Sequence, residues 1–180
     1  PIKGLERLFR VIHQIGIKKF IDWEFLIAGY EDKNHTVFLK KLVIELNLTN
    51  LITFIGPRLG QEKIRIFDSA DLFILPTFNE NYRIVVAEAL SRGVPVLTTK
   101  GTPWEELNSY DCGYWVDNNE EGIKKALLNV LQTSQKDLQA MGMRGKKLIK
   151  SKYLWSQTTK RTIELYSWIL NGGSKPDFII

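Results

Sequence analysis

The amino-acid sequence predicts a doubly wound α/β domain built on a parallel sheet. Short runs that are apolar throughout alternate along the chain with longer segments whose apolar residues recur every three or four positions. Strands buried on both faces read as such continuous runs, whereas a strand with one solvated face alternates apolar and polar residues. Helices that connect parallel strands make right-handed crossovers and cover both faces of the sheet.

Each element is predicted from its own local pattern. An amphipathic helix is predicted from Gly4 to about Lys19, because Leu5, Leu8 and Ile12 fall at helical spacing. The remaining elements end at glycine, proline or short polar clusters, which are typical turn residues. The predicted strands are 23–28, 51–55, 72–76, 94–97 and 114–116. The other predicted helices are 36–46, 61–70, 83–92, 104–108, 121–132, 135–150 and 155–170.

We predict one domain over residues 1–170 and an irregular tail over 171–180, where a Gly-Gly pair and Pro176 disfavour regular structure. Doubly wound domains usually begin with a central strand, but this sequence begins with a helix. We therefore expect the first strand of the domain to lie upstream of Pro1, so that the sequence is an excised fragment.

Composition and charge restrict the classes of function. Apolar residues make up 44% of the chain and charged residues 25%, as is typical of globular proteins. No apolar run approaches the ~20 residues that span a bilayer, and there is no signal-peptide pattern. We expect a cytoplasmic protein, with peripheral contact with the inner face of the membrane as an open alternative. The net charge of +5 favours an anionic partner. Nucleic acid is not expected, because no aromatic and basic stacking motif accompanies the charge.

Cysteine and histidine are too few and too scattered for a disulfide or a metal centre. Cys112 is the single cysteine, and we interpret it as a small buried hydrophobic residue rather than a nucleophile. His13 and His35 lie in different segments without the spacing of metal ligands. We therefore predict no metal site built by the protein.

The predicted fold places a candidate ligand site at the carboxyl ends of the strands. Ligands of open parallel sheets bind beyond these ends, in the crevice where the strand order reverses. This rule selects the loops 29–34, 56–60, 77–82 and 98–103. The third loop leads from a buried strand directly into a helix, and the first N–H groups of that helix, at Tyr82, Arg83 and Ile84, form an anion site.

Two glutamates accompany the start of that helix, and each has two interpretations. Glu80 is either a solvent-facing acid favoured by the helix dipole or a ligand contact. Glu88 lies in a segment that is apolar on almost all sides and is predicted to be buried, where a carboxylate needs a partner. That partner is either Arg92, one helical turn further on, or the hydroxyl groups of a ligand. The residues alone leave these two alternatives even.

The loop before the short fifth helix contains a capping pattern and a candidate cation. Thr102, Pro103 and Glu105 have the spacing of an N-cap, a first-turn proline and a capping-box acid, so Glu105 is predicted to be structural. The preceding pair Lys100-Gly101 could face an anion. Arg58, which follows the second strand, is a further candidate cation.

The ordered set of motifs resembles the family 4 glycosyltransferases of the GT-B fold, also called glycosyl transferases group 1. The signature is Glu80-x7-Glu88, placed between the apolar strand 72–76 and Gly93-Val94-Pro95-Val96. Supporting motifs follow in the order of the family over about residues 1–165. They are Lys3-Gly4-Leu5, Ile27-Ala28-Gly29, Phe54-Ile55-Gly56, Ala70-Asp71-Leu72 and Thr98-Thr99-Lys100-Gly101. The resemblance implies a Rossmann-like, donor-binding C-terminal domain.

The resemblance also implies a role for each matching residue. Glu80 would contact hydroxyls of the transferred sugar at the catalytic centre, and Glu88 would hold the ribose, which decides between its two interpretations. Lys3 matches a lysine that pairs with the donor diphosphate. The other matches are the backbone of Asn81, Tyr82 and Arg83 at the phosphates and sugar, Gly56 to Arg58 at the nucleobase, and Gly29 and Gly101 in the loops of the donor site. Arg83 replaces a glycine that is common in the family, so its side chain is expected to point away or to add positive charge near the phosphates.

The implied reaction is a retaining, metal-independent transfer from a UDP- or GDP-sugar to a glycan or lipid-linked acceptor, in surface-polysaccharide synthesis, without a cofactor. An arginine partner of Lys3 and an N-terminal Rossmann domain with the acceptor site would precede Pro1. We therefore expect this chain alone to bind nucleotide weakly and to transfer no sugar. The alternatives are a non-catalytic nucleotide-binding domain with the same sheet and a basic nucleic-acid-binding module.

Overall fold

Parallel strands alternate with helices in the order that the sequence predicts. The computed structural model describes residues 3–30, 33–79 and 84–179. The strands are β1 (Phe25–Ala28), β2 (Ile52–Gly56), β3 (Phe73–Leu75), β4 (Val96–Thr99) and β5 (Gly113–Val116). The helices are α1 (Leu5–Ile15), α2 (Lys33–Glu45), α3 (Gly60–Ser69), α4 (Ile84–Ser91), α5 (Glu106–Ser109), α6 (Glu120–Gln132), α7 (Gln135–Lys152) and α8 (Trp155–Asn171). All of these strands pair in parallel, which confirms the predicted α/β class.

The strands form two hydrogen-bonded groups. β1 pairs with β2, whereas β3, β4 and β5 pair with one another in that order. Within the ranges that the structure describes, no hydrogen-bonded ladder joins β1 to β3, and a further strand between them would be needed to make one continuous sheet. The expected strand upstream of Pro1 stays a prediction.

α1 is shorter than the predicted helix and ends at Ile15. Gly16 has φ 100°, a conformation that residues with side chains rarely adopt, and its N–H closes the helix on two preceding carbonyls. A 3₁₀ helix follows at Ile17–Phe20. Phe20 is also buried, so apolar residues continue past the break and the sequence pattern does not reveal it.

Burial differs between the two groups of strands. All four residues of β4 are buried, as predicted for a strand covered on both faces. β1 and β2 instead expose one face, which includes Leu26 and Thr53. The continuous apolar run of β1 therefore predicted its burial wrongly, because the described part of the chain leaves that face uncovered.

The capping pattern predicted at Thr102 is wrong. α5 begins at Glu106, and the residue in the N-cap position is Glu105, which makes no side-chain capping hydrogen bond. The Thr102 hydroxyl instead donates to the Thr99 carbonyl at 3.0 Å, and the residue is buried. The hydroxyl that a cap needs is thus engaged in the turn after β4, and the buried side chain of Trp104 holds the backbone beyond this turn in the core.

Apolar side chains pack in two clusters. One cluster lies under α1, α2 and α6 and includes Phe9 and Leu127. The other connects α4, α5 and α7 and includes Trp104 and Leu148. α8 contributes no buried residue among its described side chains. No described helix has a stretch that is long and apolar enough to cross a membrane.

Candidate functional site

The carboxyl ends of β1 and β2 lie side by side. The N–H of Gly29, directly after β1, donates to the carbonyl of Gly56 at the end of β2, at 3.1 Å. Gly56 has φ 70°, which favours glycine at this turn. Arg58 follows and forms an ion pair with Glu62 of α3 at 3.7 Å. The structure thus brings the predicted residues Gly29, Gly56 and Arg58 to one edge of the fold.

The end of β3 is held by side chains from three other parts of the chain. The four consecutive carbonyl oxygens from Leu75 to Phe78 each accept a hydrogen bond from a side chain. In the order of their acceptors, the donors are Thr98, Arg7, Thr99 and Asn118. We call this set the carbonyl array. It fixes the backbone where the chain leaves the sheet and leads toward Glu80.

Two glycines let the backbone approach this array. A Cβ at Gly4 would lie 2.0 Å from the Pro76 carbonyl oxygen, and one at Gly101 would lie 2.4 Å from the Phe78 carbonyl oxygen. Real Cβ atoms do not come this close, so both positions require glycine. Gly101 and the exposed Lys3, which precedes Gly4, therefore lie next to the segment that begins the β3–α4 loop.

Arg7 is a site residue that the sequence analysis missed. Its Nη2 donates to the Pro76 carbonyl at 2.8 Å and to Asn118 Oδ1 at 2.9 Å, and its Nη1 donates to the Asn118 carbonyl at 2.9 Å. The guanidinium carbon lies 3.7 Å from the centre of the Phe78 ring. Burial lowers the pKa of Arg7 from its ordinary value, and the charges of Glu120 and Glu6 oppose that shift. In the sequence Arg7 is indistinguishable from any polar residue on the outer face of an amphipathic helix.

Glu88 is neither buried nor paired as the sequence suggested. Its side chain is 38% exposed, and its Oε2 lies 2.5 Å from Nζ of Lys63 on α3. Arg92 instead donates twice to Asp68, at 2.6 and 2.7 Å. α4 buries one face through residues such as Val86, and Glu88 lies off that face. The predicted burial is therefore wrong, and the Arg92 pair, one of the two alternatives for Glu88, does not form. A half-exposed carboxylate does not carry the desolvation cost on which that reasoning depended.

Four of the predicted site residues, Glu80, Asn81, Tyr82 and Arg83, lie outside the described residues. Their expected contacts with sugar and phosphate stay predictions. They fall between Phe78, which the carbonyl array holds, and α4, which carries Glu88. The described part of the site therefore frames this segment from both of its ends.

The remaining candidates for a chemical role are the cysteine and the two histidines, and their surroundings favour a structural role. Cys112 is buried, and burial raises the pKa of its thiol to about 11, so a thiolate nucleophile is disfavoured. His13 Nδ1 lies 3.0 Å from the Leu46 carbonyl, and His35 lies 3.7 Å from Glu6. Over the described ranges no three His, Cys, Asp or Glu side chains cluster in a way that could hold a metal ion.

Two clefts between described residues lie away from the predicted site. One, of about 750 Å³, lies beside α5 and is lined by Tyr110, Trp115 and Lys152 among others. The other, of about 170 Å³, lies near Asp71 and Pro95, at the amino ends of β3 and β4. None of the predicted site residues lines either cleft.

Comparison with known proteins assigns this chain to a family. The sequence profile of the family "Glycosyl transferases group 1" matches residues 1–148, and the chain belongs to that family. A D-inositol 3-phosphate glycosyltransferase of Corynebacterium urealyticum is 28% identical over 129 residues, which cover 71% of this chain and 30% of that protein. The chain therefore spans less than half the length of this curated relative.

Solved structures show the same fold. The C-terminal domain of a glycosyl transferase group 1 protein, LpcC, from Francisella tularensis superimposes with a TM-score of 0.71 at 22% identity, covering 86% of this chain and 81% of that one. Anabaena HepE in complex with UDP-glucose superimposes with a TM-score of 0.77 at 17% identity, covering 93% of this chain and 46% of that one. The chain thus has the fold of a GT-B C-terminal domain.

Proposed function

We propose that this chain is the donor-binding domain of a glycosyltransferase that moves a sugar from a nucleoside diphosphate sugar to an acceptor. The observation that carries the proposal is the convergence of Gly4 and Gly101 on the backbone that leads into Glu80. Lys3 and Gly101, far apart in sequence, thereby lie beside one strand end, in a chain that belongs to a glycosyltransferase family. This is the edge at which open parallel sheets bind nucleotides.

In the proposed site, one set of residues binds the sugar and the phosphates of the donor, and another binds its ribose and base. Glu80 orients the sugar, and the backbone of Asn81, Tyr82 and Arg83 binds sugar and phosphate. Lys3 stabilises the charge that develops on the departing diphosphate, which is electrostatic stabilisation of the transition state. Glu88 accepts hydrogen bonds from the ribose hydroxyls, Gly56 to Arg58 pack near the nucleobase, and Gly29 and Gly101 allow close approach of the backbone.

The wider setting is part of the same proposal. The donor is a UDP- or GDP-sugar, a choice supported for UDP by the complex of HepE with UDP-glucose. Transfer is retaining and metal-independent, the acceptor is a glycan or lipid-linked sugar of a surface polysaccharide, and the reaction is cytoplasmic at the inner face of the membrane. An N-terminal Rossmann domain supplies the acceptor site, so the 180-residue chain alone is expected to show no transfer.

Nucleotide binding to the wild-type chain and to Glu88→Ala tests the proposal. Calorimetric titration with UDP-, GDP- and ADP-glucose identifies the base. We expect the dissociation constant of the preferred donor to rise at least about tenfold in Glu88→Ala, since hydrogen bonds to a charged group contribute about 1.5–3 kcal/mol. Glu121→Ala is the matched control, because it also removes an exposed carboxylate paired with a lysine, Lys125, but on α6. No binding of any nucleotide to the wild type at millimolar concentration would contradict the proposal.

A further inference from the structure

We infer that Arg7 is a positioning residue that holds the backbone leading into the sugar-binding segment of the site, and so governs recognition of the sugar more than that of the nucleotide. The inference rests on the proposed function and deepens it. Arg7 belongs to α1, whereas the segment it holds follows β3, and its contacts are with Pro76, Phe78 and Asn118. Its effect on binding is therefore transmitted through the backbone.

Arg7 controls two of the four acceptors in the carbonyl array. It donates directly to the Pro76 carbonyl, and through both Nη atoms it holds the backbone and side chain of Asn118. With its Oδ1 accepting from Arg7, the Asn118 amide presents Nδ2 to the Phe78 carbonyl. The guanidinium thus sets the orientation of the amide that makes the last contact of the array.

The planar guanidinium also fixes a side chain. It lies 3.7 Å from the centre of the Phe78 ring, and Phe78 is 47% exposed. A lysine at this position has a single ammonium that cannot make the two-nitrogen fork and the stacking contact together. Arg7→Lys is therefore expected to be a poor replacement.

The array ends close to the predicted sugar contact. Glu80 follows Phe78 by two residues, and at about 3.3–3.6 Å per residue the two cannot lie far apart. Glu88, the predicted ribose contact, lies on α4 and is held by Lys63 instead. Loss of Arg7 should consequently weaken the hold on the sugar while the ribose contact remains.

Paired titrations of a nucleoside diphosphate and its glucose conjugate separate these effects. For the base that the wild type prefers, we expect Arg7→Leu to raise the dissociation constant of the sugar conjugate about tenfold and that of the diphosphate by a smaller factor, since Lys3 and Glu88 also hold the nucleotide in the proposed site. Arg7→Lys should recover little of the loss. Arg10→Leu is the matched control, because it removes the same charge from an exposed position on the same helix. Equal weakening of both ligands, or of neither, would overturn the inference and leave the proposed function standing.

Nuclear magnetic resonance gives a readout that needs no ligand. The amides of Thr77 and Asn79 each follow a carbonyl that Arg7 holds, directly or through Asn118, so their resonances should shift further from the wild type in Arg7→Leu than in Arg10→Leu. Shifts no larger than those in Arg10→Leu would also overturn the inference. If Arg7→Leu does not fold, Asn118→Ala takes its place, because it removes the donor to Phe78 and keeps the Arg7 bond to Pro76. Absence of nucleotide binding by the wild type would overturn the proposed function and this inference together.

Discussion

Glu106 on α5 accepts hydrogen bonds from Lys152 Nζ, at 2.7 Å, and from the hydroxyl of Tyr153. Burial acts to raise the pKa of Glu106, but these two hydrogen bonds and the charge of Lys152 lower it overall from its ordinary value. Lys152 also lies 4.9 Å from the centre of the Tyr110 ring. The C-terminal end of α7 is thereby tied to α5 through one carboxylate.

Glu106→Gln should destabilise the fold in a pH-dependent way. A carboxylate whose folded pKa is lowered adds stability above its unfolded pKa of about 4.3, and this stability is lost as pH falls through the folded pKa. We expect a loss of about 1 kcal/mol in the free energy of unfolding at pH 7, measured by urea denaturation, and a smaller loss at pH 3.5. Glu105→Gln, on an exposed neighbour, should change little at either pH. A pH-independent loss in Glu106→Gln would contradict this account.

Helices α4 and α7 meet through small residues. A Cβ at Gly142 of α7 would lie 1.8 Å from the Gly93 carbonyl oxygen, and one at Gly145 would lie 2.6 Å from Leu90 Cδ2. The backbone of α7 thus packs directly against the end of α4. The packing positions the helix that carries Glu88 on the sheet.

Gly142→Ala distinguishes local propensity from tertiary packing. Alanine is about 1 kcal/mol more favourable than glycine inside a helix, so propensity alone predicts stabilisation. The contact with a backbone carbonyl cannot relax easily, and we expect a net destabilisation of about 2 kcal/mol in urea or thermal unfolding. Met143→Ala, on the exposed face of the same helix, is the control and should stay within about 0.5 kcal/mol. A stabilised Gly142→Ala protein would show that α4 and α7 are less closely packed.

For the whole molecule, α8 stands apart from the two core clusters. Ile163, Tyr166, Ile169 and Leu170 are 60–80% exposed, although they share one face of the helix. The family profile ends at residue 148, before α8 begins. The cooperative unit of the fold is therefore expected to be the region before α8.

The same substitution, leucine to alanine, at one position before α8 and one within it tests whether α8 belongs to the cooperative unit. Leu148→Ala removes a side chain that is 1% exposed and should cost about 2–5 kcal/mol, because a cavity is left in the second cluster. Leu170→Ala removes one that is 80% exposed and should change the free energy of unfolding by less than about 0.5 kcal/mol. Both are measured by urea denaturation of the 180-residue chain. Similar losses for the two variants would show that α8 packs on the core.

The sequence by itself determined the type and order of the elements, which follow from local periodicity and turn residues. Its ordered motifs indicated the family, and the strand-end rule predicted the edge of the sheet at which the site is proposed. Its errors occur where an element has a distant partner. Glu88 lies in an apolar segment, and only the position of α3 shows that Lys63 is its partner.

Only the tertiary structure decided how the start of the site is held. Arg7 and Asn118, separated by 111 positions, have no pattern in common in the sequence, yet they hold adjacent parts of one strand end. Thr102 has the spacing of a helix cap, but its hydroxyl is used by the turn after β4. Side-chain partners of this kind depend on which elements pack together. A local sequence pattern carries no information about contacts between residues that are far apart in the sequence.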